Sequence, residues 1–208
     1  MPSGNSDRTI SFWLYLPSNA NILPEYAVIY IGGTTCSIGQ EFMIQITTND
    51  VVTLGSCNLG TWYFSSLKLI RNNWNFVAIT FGQTNQATAY VNGANNYQTL
   101  TINGINTVAS KVRFGSRLLT NTVAGAGYLT DIRIWNRVLT TSEINNVIQF
   151  QPVTSGLVSA WDGSLYANTY LRDIVCFNNG YFSHDNMITN GCPGNSIEKI
   201  NFKLISCV

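Results

Sequence analysis

The sequence predicts an all-β fold, a two-sheet antiparallel jelly-roll sandwich with one short helix. Three features point there. Runs with apolar residues at every second position recur along the chain, clusters of Gly, Asn, Ser and Thr separate them, and a single segment carries a helix signature. The 208 residues suit one sandwich domain.

The first run is Thr9–Leu16. Ile10, Phe12, Leu14 and Leu16 share one face, Ser11, Trp13 and Tyr15 the other, and Pro17-Ser18 ends the strand. Further strands are expected at Tyr26–Ile31, Glu41–Thr47, Val51–Leu54, Thr61–Leu67, Asn75–Phe81, Ala87–Val91 and Lys111–Phe114. Asn92-Gly93 suits a tight hairpin turn after the Ala87–Val91 run. In Tyr128–Trp135, alternation puts Leu129, Asp131, Arg133 and Trp135 on one face and Tyr128, Thr130, Ile132 and Ile134 on the other. The helix follows. Thr140-Thr141-Ser142-Glu143 reads as a capping box with Thr140 as N-cap. Ile144, Val147 and Ile148 form its apolar side, and Gln151-Pro152 stops it.

Apolar residues make up 45% of the chain, enough for a core. Charged residues make up 10%, against roughly 25% in ordinary soluble proteins. The 11 basic and 10 acidic residues leave a net charge of +1, with no basic cluster. That argues against nucleic-acid partners and against polybasic membrane attachment. The longest apolar stretch, Tyr26–Ile31, falls far short of the roughly 18 residues a membrane helix needs, so no membrane insertion is expected. Met1–Asp7 has neither a basic nor an apolar leader region, so no signal peptide is visible in this chain, and no N-glycosylation sequon occurs. The 5 cysteines are Cys36, Cys57, Cys176, Cys192 and Cys207, an odd number that leaves at least one unpaired within a monomer. Their spacing matches no zinc pattern, and buried thiols with a disulfide or two are expected.

Three segments together resemble the laminin-G-like, concanavalin A-like lectin jelly-roll domain. They are Thr9-Ile10-Ser11-Phe12-Trp13-Leu14, then Asn73–Phe81 with Ala89-Tyr90-Val91-Asn92-Gly93, and then Phe114-Gly115 with Gly127–Ile144. The resemblance covers roughly residues 9–150. Gly156–Asp162, Leu171-Arg172-Asp173, Asn178-Asn179-Gly180 and Asn195–Phe202 resemble that family's opening strands, here at the C-terminus. Two arrangements fit. Residues 1–208 form one circularly permuted domain, with 1–150 as its body and 155–208 as the opening strands, or 155–208 complete a neighbouring molecule by strand exchange. Permutation is the preferred reading. Residues 155–208 are too short to build a core alone.

The resemblance implies a calcium site made by the closing-strand aspartate, Asp131, with Asp173 and Asp162 from the opening segment. Hard oxygen ligands suit one Ca²⁺. Ile174-Val175-Cys176-Phe177 replaces the family's Gly-Asn-Gly turn beside it. Otherwise Asp131 pairs with Arg133 or Arg172, or caps a turn. Retaining glucanases of this fold place two glutamates on one strand face, their carboxylates about 5 Å apart. Glu25, Glu41, Glu143 and Glu198 supply no such pair, and the sole histidine, His184, sits in a polar loop without a nucleophile motif. Binding rather than catalysis is expected. Candidate sugar platforms are Trp62 and Tyr63, with Asn95, Asn96 and Tyr97 after the hairpin turn. The leading expectation is a carbohydrate- or surface-binding lectin-like module. The alternative is a structural component of a virion, filament or other extracellular assembly, because a charge-poor surface rich in Asn, Ser and Thr favours association. Expected partners are a glycan or other protein subunits, with an oligomer or larger assembly, at an extracellular, cell-surface or virion location.

Overall fold

The computed structural model describes residues 1–22, 27–33, 35–109, 111–115, 127–162, 165–166, 170–171, 174–175, 180–181 and 203–204. The strands of its body are β1 (Arg8–Tyr15), β2 (Ala27–Gly32), β3 (Phe42–Ile46), β4 (Val51–Ser56), β5 (Gly60–Lys68), β6 (Trp74–Phe81), β7 (Gln86–Val91), β8 (Tyr97–Thr101), β9 (Lys111–Phe114) and β10 (Tyr128–Trp135). Helix α1 (Thr141–Ile148) follows, then β11 (Leu157–Trp161), β12 (Leu165–Tyr166), β13 (Tyr170–Leu171), β14 (Gly180–Tyr181) and β15 (Lys203–Leu204). One sheet runs β11-β10-β1-β6-β7-β8, with β15 also on β10. The second runs β5-β4-β3-β2-β9, and β12-β13-β14 form a small third sheet.

The two large sheets enclose one core. Ile10, Phe12 and Leu14 of β1 meet Ile29 and Ile31 of β2, Phe42 and Ile44 of β3, and Val77, Ile79 and Phe81 of β6, all buried. Alternate residues of each strand point into this core, and most of the residues between them are buried as well. Arg8 is buried at the sandwich edge, its guanidinium over the Phe42 ring at 5.2 Å and donating to Thr107 Oγ1 at 2.9 Å. A second cluster lies on the outer face of the seven-stranded sheet. There Ile144 and Val147 of α1 cover Phe76, Ala78 and Trp135, with Trp13 packed at the margin. The capping box forms as expected. The Glu143 amide donates to Thr140 Oγ1 at 3.3 Å and the Thr140 amide donates to Glu143 Oε2 at 2.9 Å.

Three details differ from the sequence reading. Strand β8 was not expected, because Tyr97–Thr101 is mostly exposed and lacks an apolar face. The β7–β8 connection is longer than a two-residue turn, spanning residues 92–96. Asn92 spends its side chain on β6 there, accepting from the Phe76 amide at 2.8 Å and donating to Asn75 Oδ1 at 2.9 Å. Strict alternation also fails in β10. The register against β1 shifts between Ser11 and Trp13, and Asp131 has φ 48°. This β-bulge adds one residue, so Leu129 turns inward together with Ile132 and Ile134.

Candidate functional site

A groove of about 560 Å³ lies on the outer face of the five-stranded sheet, across β3, β4 and β5. Its walls come from alternation. Ile44, Ile46, Val52, Leu54 and Phe64 point into the core, so Gln45, Thr53, Thr61, Tyr63 and Ser65 point outward. Thr53 pairs with Tyr63 and Gln45 with Thr53, which puts the three in one cross-strand row. Thr47, Thr48 and Asn49 of the β3–β4 turn close one end. That turn is tied down: Thr47 Oγ1 accepts from the Val51 amide at 3.1 Å, and Asp50 pairs with Arg71 at 2.9 Å.

The chemistry of the groove is uniform. The ten lining residues among those described are uncharged: hydroxyls and the amides of Gln45 and Asn49 supply both donors and acceptors. Tyr63 is 56% exposed and offers an aromatic face. Gln45 is buried against the sheet because Gly55 on the neighbouring strand leaves room. A Cβ at Gly55 would overlap the Gln45 amide oxygen.

The expected sugar residues are dispersed. Trp62 and Tyr63 are sequence neighbours and so face opposite ways. Trp62 packs against the core, and Tyr63 lines the groove. Tyr97 is exposed on β8 and leans on Tyr90, centroid to centroid 5.8 Å. Tyr90 belongs to the cluster under α1, so Tyr97 lies on the outer face of the other sheet. Asn96 serves its own turn, donating Nδ2 to the Val91 carbonyl at 2.8 Å, and Asn95 is exposed beside it. Gln45, Thr53, Thr61 and Ser65 were missed. Their only signal is the uncharged polar half of each alternating run.

The Asp131 corner is separate. Its carboxylate is mostly buried beside the bulge. Oδ1 accepts from Arg133 Nε at 2.7 Å, and Oδ2 is buried with no hydrogen-bond partner among the described residues. Burial pushes the Asp131 carboxyl above the ordinary aspartate range. Arg133 opposes that shift, and the negative charge of Asp162 adds to it. Asp162 follows β11, which lies on β10 with Trp161 opposite Ile132, and its carbonyl accepts from Thr130 Oγ1 at 3.3 Å. The Asp162 charge is felt at Asp131, whose Oδ2 is a buried oxygen with no hydrogen-bond partner among the described residues. Carboxylate oxygens are the ligand type a hard cation such as Ca²⁺ takes, and such an ion would need further oxygens beside these. Asp173, the third expected ligand, lies outside the described residues, as do Arg172, His184, Cys176, Cys192 and Cys207.

The model of the concanavalin A-like lectin/glucanases superfamily matches residues 2–145. The chain belongs to this superfamily. No curated protein sequence matches it. Among solved structures, it is similar to a candidate carbohydrate-binding protein from Bacteroides ovatus ATCC 8483, with a TM-score of 0.64 and 16% identity over 86% of this chain. The match spans about half of that protein, 52% of its chain. Domain 4 of AbnA, a GH43 extracellular arabinanase from Geobacillus stearothermophilus solved with arabinotriose, gives 0.54 and 15%, covering 72% of this chain and 69% of that one. The heptameric SAP-like pentraxin of Limulus polyphemus gives 0.53 and 15%, covering 71% of each chain. At these identities the superfamily member shares its fold with all three.

Proposed function

We propose that the chain is a non-catalytic, lectin-like module that binds a neutral glycan in the groove over β3, β4 and β5. The observation that carries this is the lining. A concave site with an exposed tyrosine ring, hydroxyls and two amides, and no charged side chain among the described residues, matches an uncharged polyhydroxylated ligand. An anionic ligand would find no countercharge there. The binding of arabinotriose by the arabinanase domain supports the same class of ligand. We further propose that Asp131 and Asp162 hold one Ca²⁺. Bound there, the ion would offset the buried Asp131 charge and tie β10 to the residue that follows β11. The Cys36–Cys57 disulfide, with its Cα atoms 5.5 Å apart, favours an oxidising, extracellular setting.

The test is binding of the purified chain to an array of neutral and acidic oligosaccharides, with and without a chelator. Saturable binding to neutral glycans is expected, and Tyr63→Ala should weaken it at least about tenfold, the loss of one stacking and desolvation contact of about 1.4 kcal/mol. Equal binding by the Tyr63→Ala variant would remove the groove from the proposal. A structural-subunit role is the second reading, favoured by the 10% charge content. It would be preferred if no glycan binds and light scattering gives a mass well above 23.0 kDa.

A further inference from the structure

At the opposite end of the same sheet from the β3–β4 turn, Cys36, Glu41 and Cys57 converge. Cys36 lies in the β2–β3 loop, Glu41 directly precedes β3, and Cys57 directly follows β4. One ligand atom from each, two Sγ and a carboxylate oxygen, lies within 4.8 Å of the others. In the structure the two sulfurs are joined as a disulfide. We propose that these three residues are a redox-gated site for a borderline-soft divalent cation of the Zn²⁺ class, closed while the disulfide stands and opened by its reduction.

The surroundings are those of a built site. Glu41 is 0% exposed, an uncommon place for a carboxylate. The Tyr30 hydroxyl lies 3.1 Å from Glu41 Oε1 and 3.0 Å from the Gly33 carbonyl oxygen, so it orients the carboxylate from behind. Tyr30 reaches it by lying across Gly32, where a Cβ would overlap the tyrosine hydroxyl. Strand β3 is paired on both sides, which fixes Glu41 relative to Cys57 at the end of β4. Cys57 is buried, while Cys36 is partly exposed and gives an ion a way in from solvent.

Distances and charge both suit the ion. Tetrahedral Zn²⁺ with bonds of about 2.3 Å to sulfur and 2.0 Å to oxygen needs its ligand atoms roughly 3.5–3.8 Å apart. Atoms already held within 4.8 Å meet that with small rotations once the S–S bond is gone. Thiolates, not thiols, bind metal. Two thiolates beside a buried carboxylate would set three negative charges together, and a dication offsets two of them. The paired thiolates select Zn²⁺ or Co²⁺ over Ca²⁺ and Mg²⁺. The chemistry balances. A dithiol reductant gives two electrons and two protons and becomes a disulfide, while Cys36 and Cys57 become thiols. The ion then displaces both thiol protons to water and bonds to two sulfurs and one carboxylate oxygen, with a water as fourth ligand.

The test uses the full chain, reduced with a dithiol, desalted under argon and titrated with Co²⁺, then with competing Zn²⁺. The other three cysteines stay in every sample, so the readout is a difference between variants. The reduced wild type should bind one equivalent more than the reduced Cys36→Ser/Cys57→Ser variant, with thiolate-to-cobalt absorption that Zn²⁺ removes. Glu41→Gln, which keeps both cysteines and the disulfide, should bind that equivalent at least about tenfold more weakly. Reoxidation should release it. Equal stoichiometry in wild type and the double variant would overturn the site, and unchanged affinity in Glu41→Gln would do the same.

Discussion

Asp131 adopts φ 48° inside β10, a left-handed conformation that costs most side chains about 1–2 kcal/mol and that asparagine and aspartate tolerate best. The bulge that demands this conformation also carries the carboxylate to the corner it shares with Asp162. The group then sits there at a cost, because burial outweighs the Arg133 contact and holds its pKa above the ordinary value. The sign of the consequence is fixed. A carboxyl whose folded pKa is raised binds its proton more tightly in the folded chain, so its contribution favours folding at acid pH and is lost as pH rises through the shifted pKa. Asp131→Asn keeps the backbone preference and an acceptor for Arg133 while removing the buried charge. At neutral pH, in chelator, this variant should melt higher than wild type by about 2–4 °C, the shift expected for about 1 kcal/mol at this size. Calcium should raise the melting temperature of the wild type and leave that of the variant unchanged. A lower melting temperature for the variant in chelator would mean that the carboxylate stabilises the apo fold. An equal calcium increment in both would place the ion elsewhere.

Helix α1 depends on one carboxylate with two roles. Glu143 closes the capping box on Thr140 and accepts from Arg137 Nη1 and Nη2 at 2.8 and 2.6 Å. Those Arg137 bonds, followed by the Thr140 amide, hold its pKa down to about 2 from 4.5. A depressed carboxyl contributes stability above its unfolded pKa and loses it as pH falls through the folded one. Wild-type stability should therefore decline between pH 4.5 and about 2 more steeply than that of Glu143→Gln. At pH 7 the substitution should cost about 1 kcal/mol, discounted because the pair is partly open to solvent. Parallel pH–stability curves for the two proteins would show that the network contributes nothing. This helix was legible because cap, apolar stripe and stop are all local. Strand β8 was not, since Tyr97–Thr101 has no apolar face and exists by pairing with β7. The bulge in β10 was hidden because alternation alone cannot reveal an added residue. The groove was hidden for a related reason: Gln45, Thr53 and Thr61 look like ordinary solvent-facing positions until three strands are laid side by side.

The C-terminal segment meets the body of the sandwich along one strand edge. Among the described residues, the outer edge of β10 is paired by β11 and β15. Strand β11 occupies that edge from within the same chain, with Arg133 opposite Ala160 and Ile134 opposite Ser159. Trp161 is then buried in the main core and meets Phe114 of the other sheet edge-on at 5.0 Å, so one residue after β10 joins both layers. An exposed β10 edge would also invite pairing with other chains. Truncating such a side chain should cost about 3–5 kcal/mol, a large part of the roughly 5–15 kcal/mol that holds a domain folded. Trp161→Ala should accordingly shift the urea midpoint far below that of wild type. The concentration dependence of the wild-type midpoint separates the two arrangements the sequence left open. A permuted domain that completes itself unfolds at a midpoint independent of protein concentration. A chain completed by its neighbour becomes more stable as concentration rises, because association is part of its folding. The pairing of β11 with its own β10 leads us to expect no concentration dependence over a hundredfold range, with a monomer mass by light scattering. A midpoint that climbs with concentration, together with a dimer mass, would replace permutation with strand exchange.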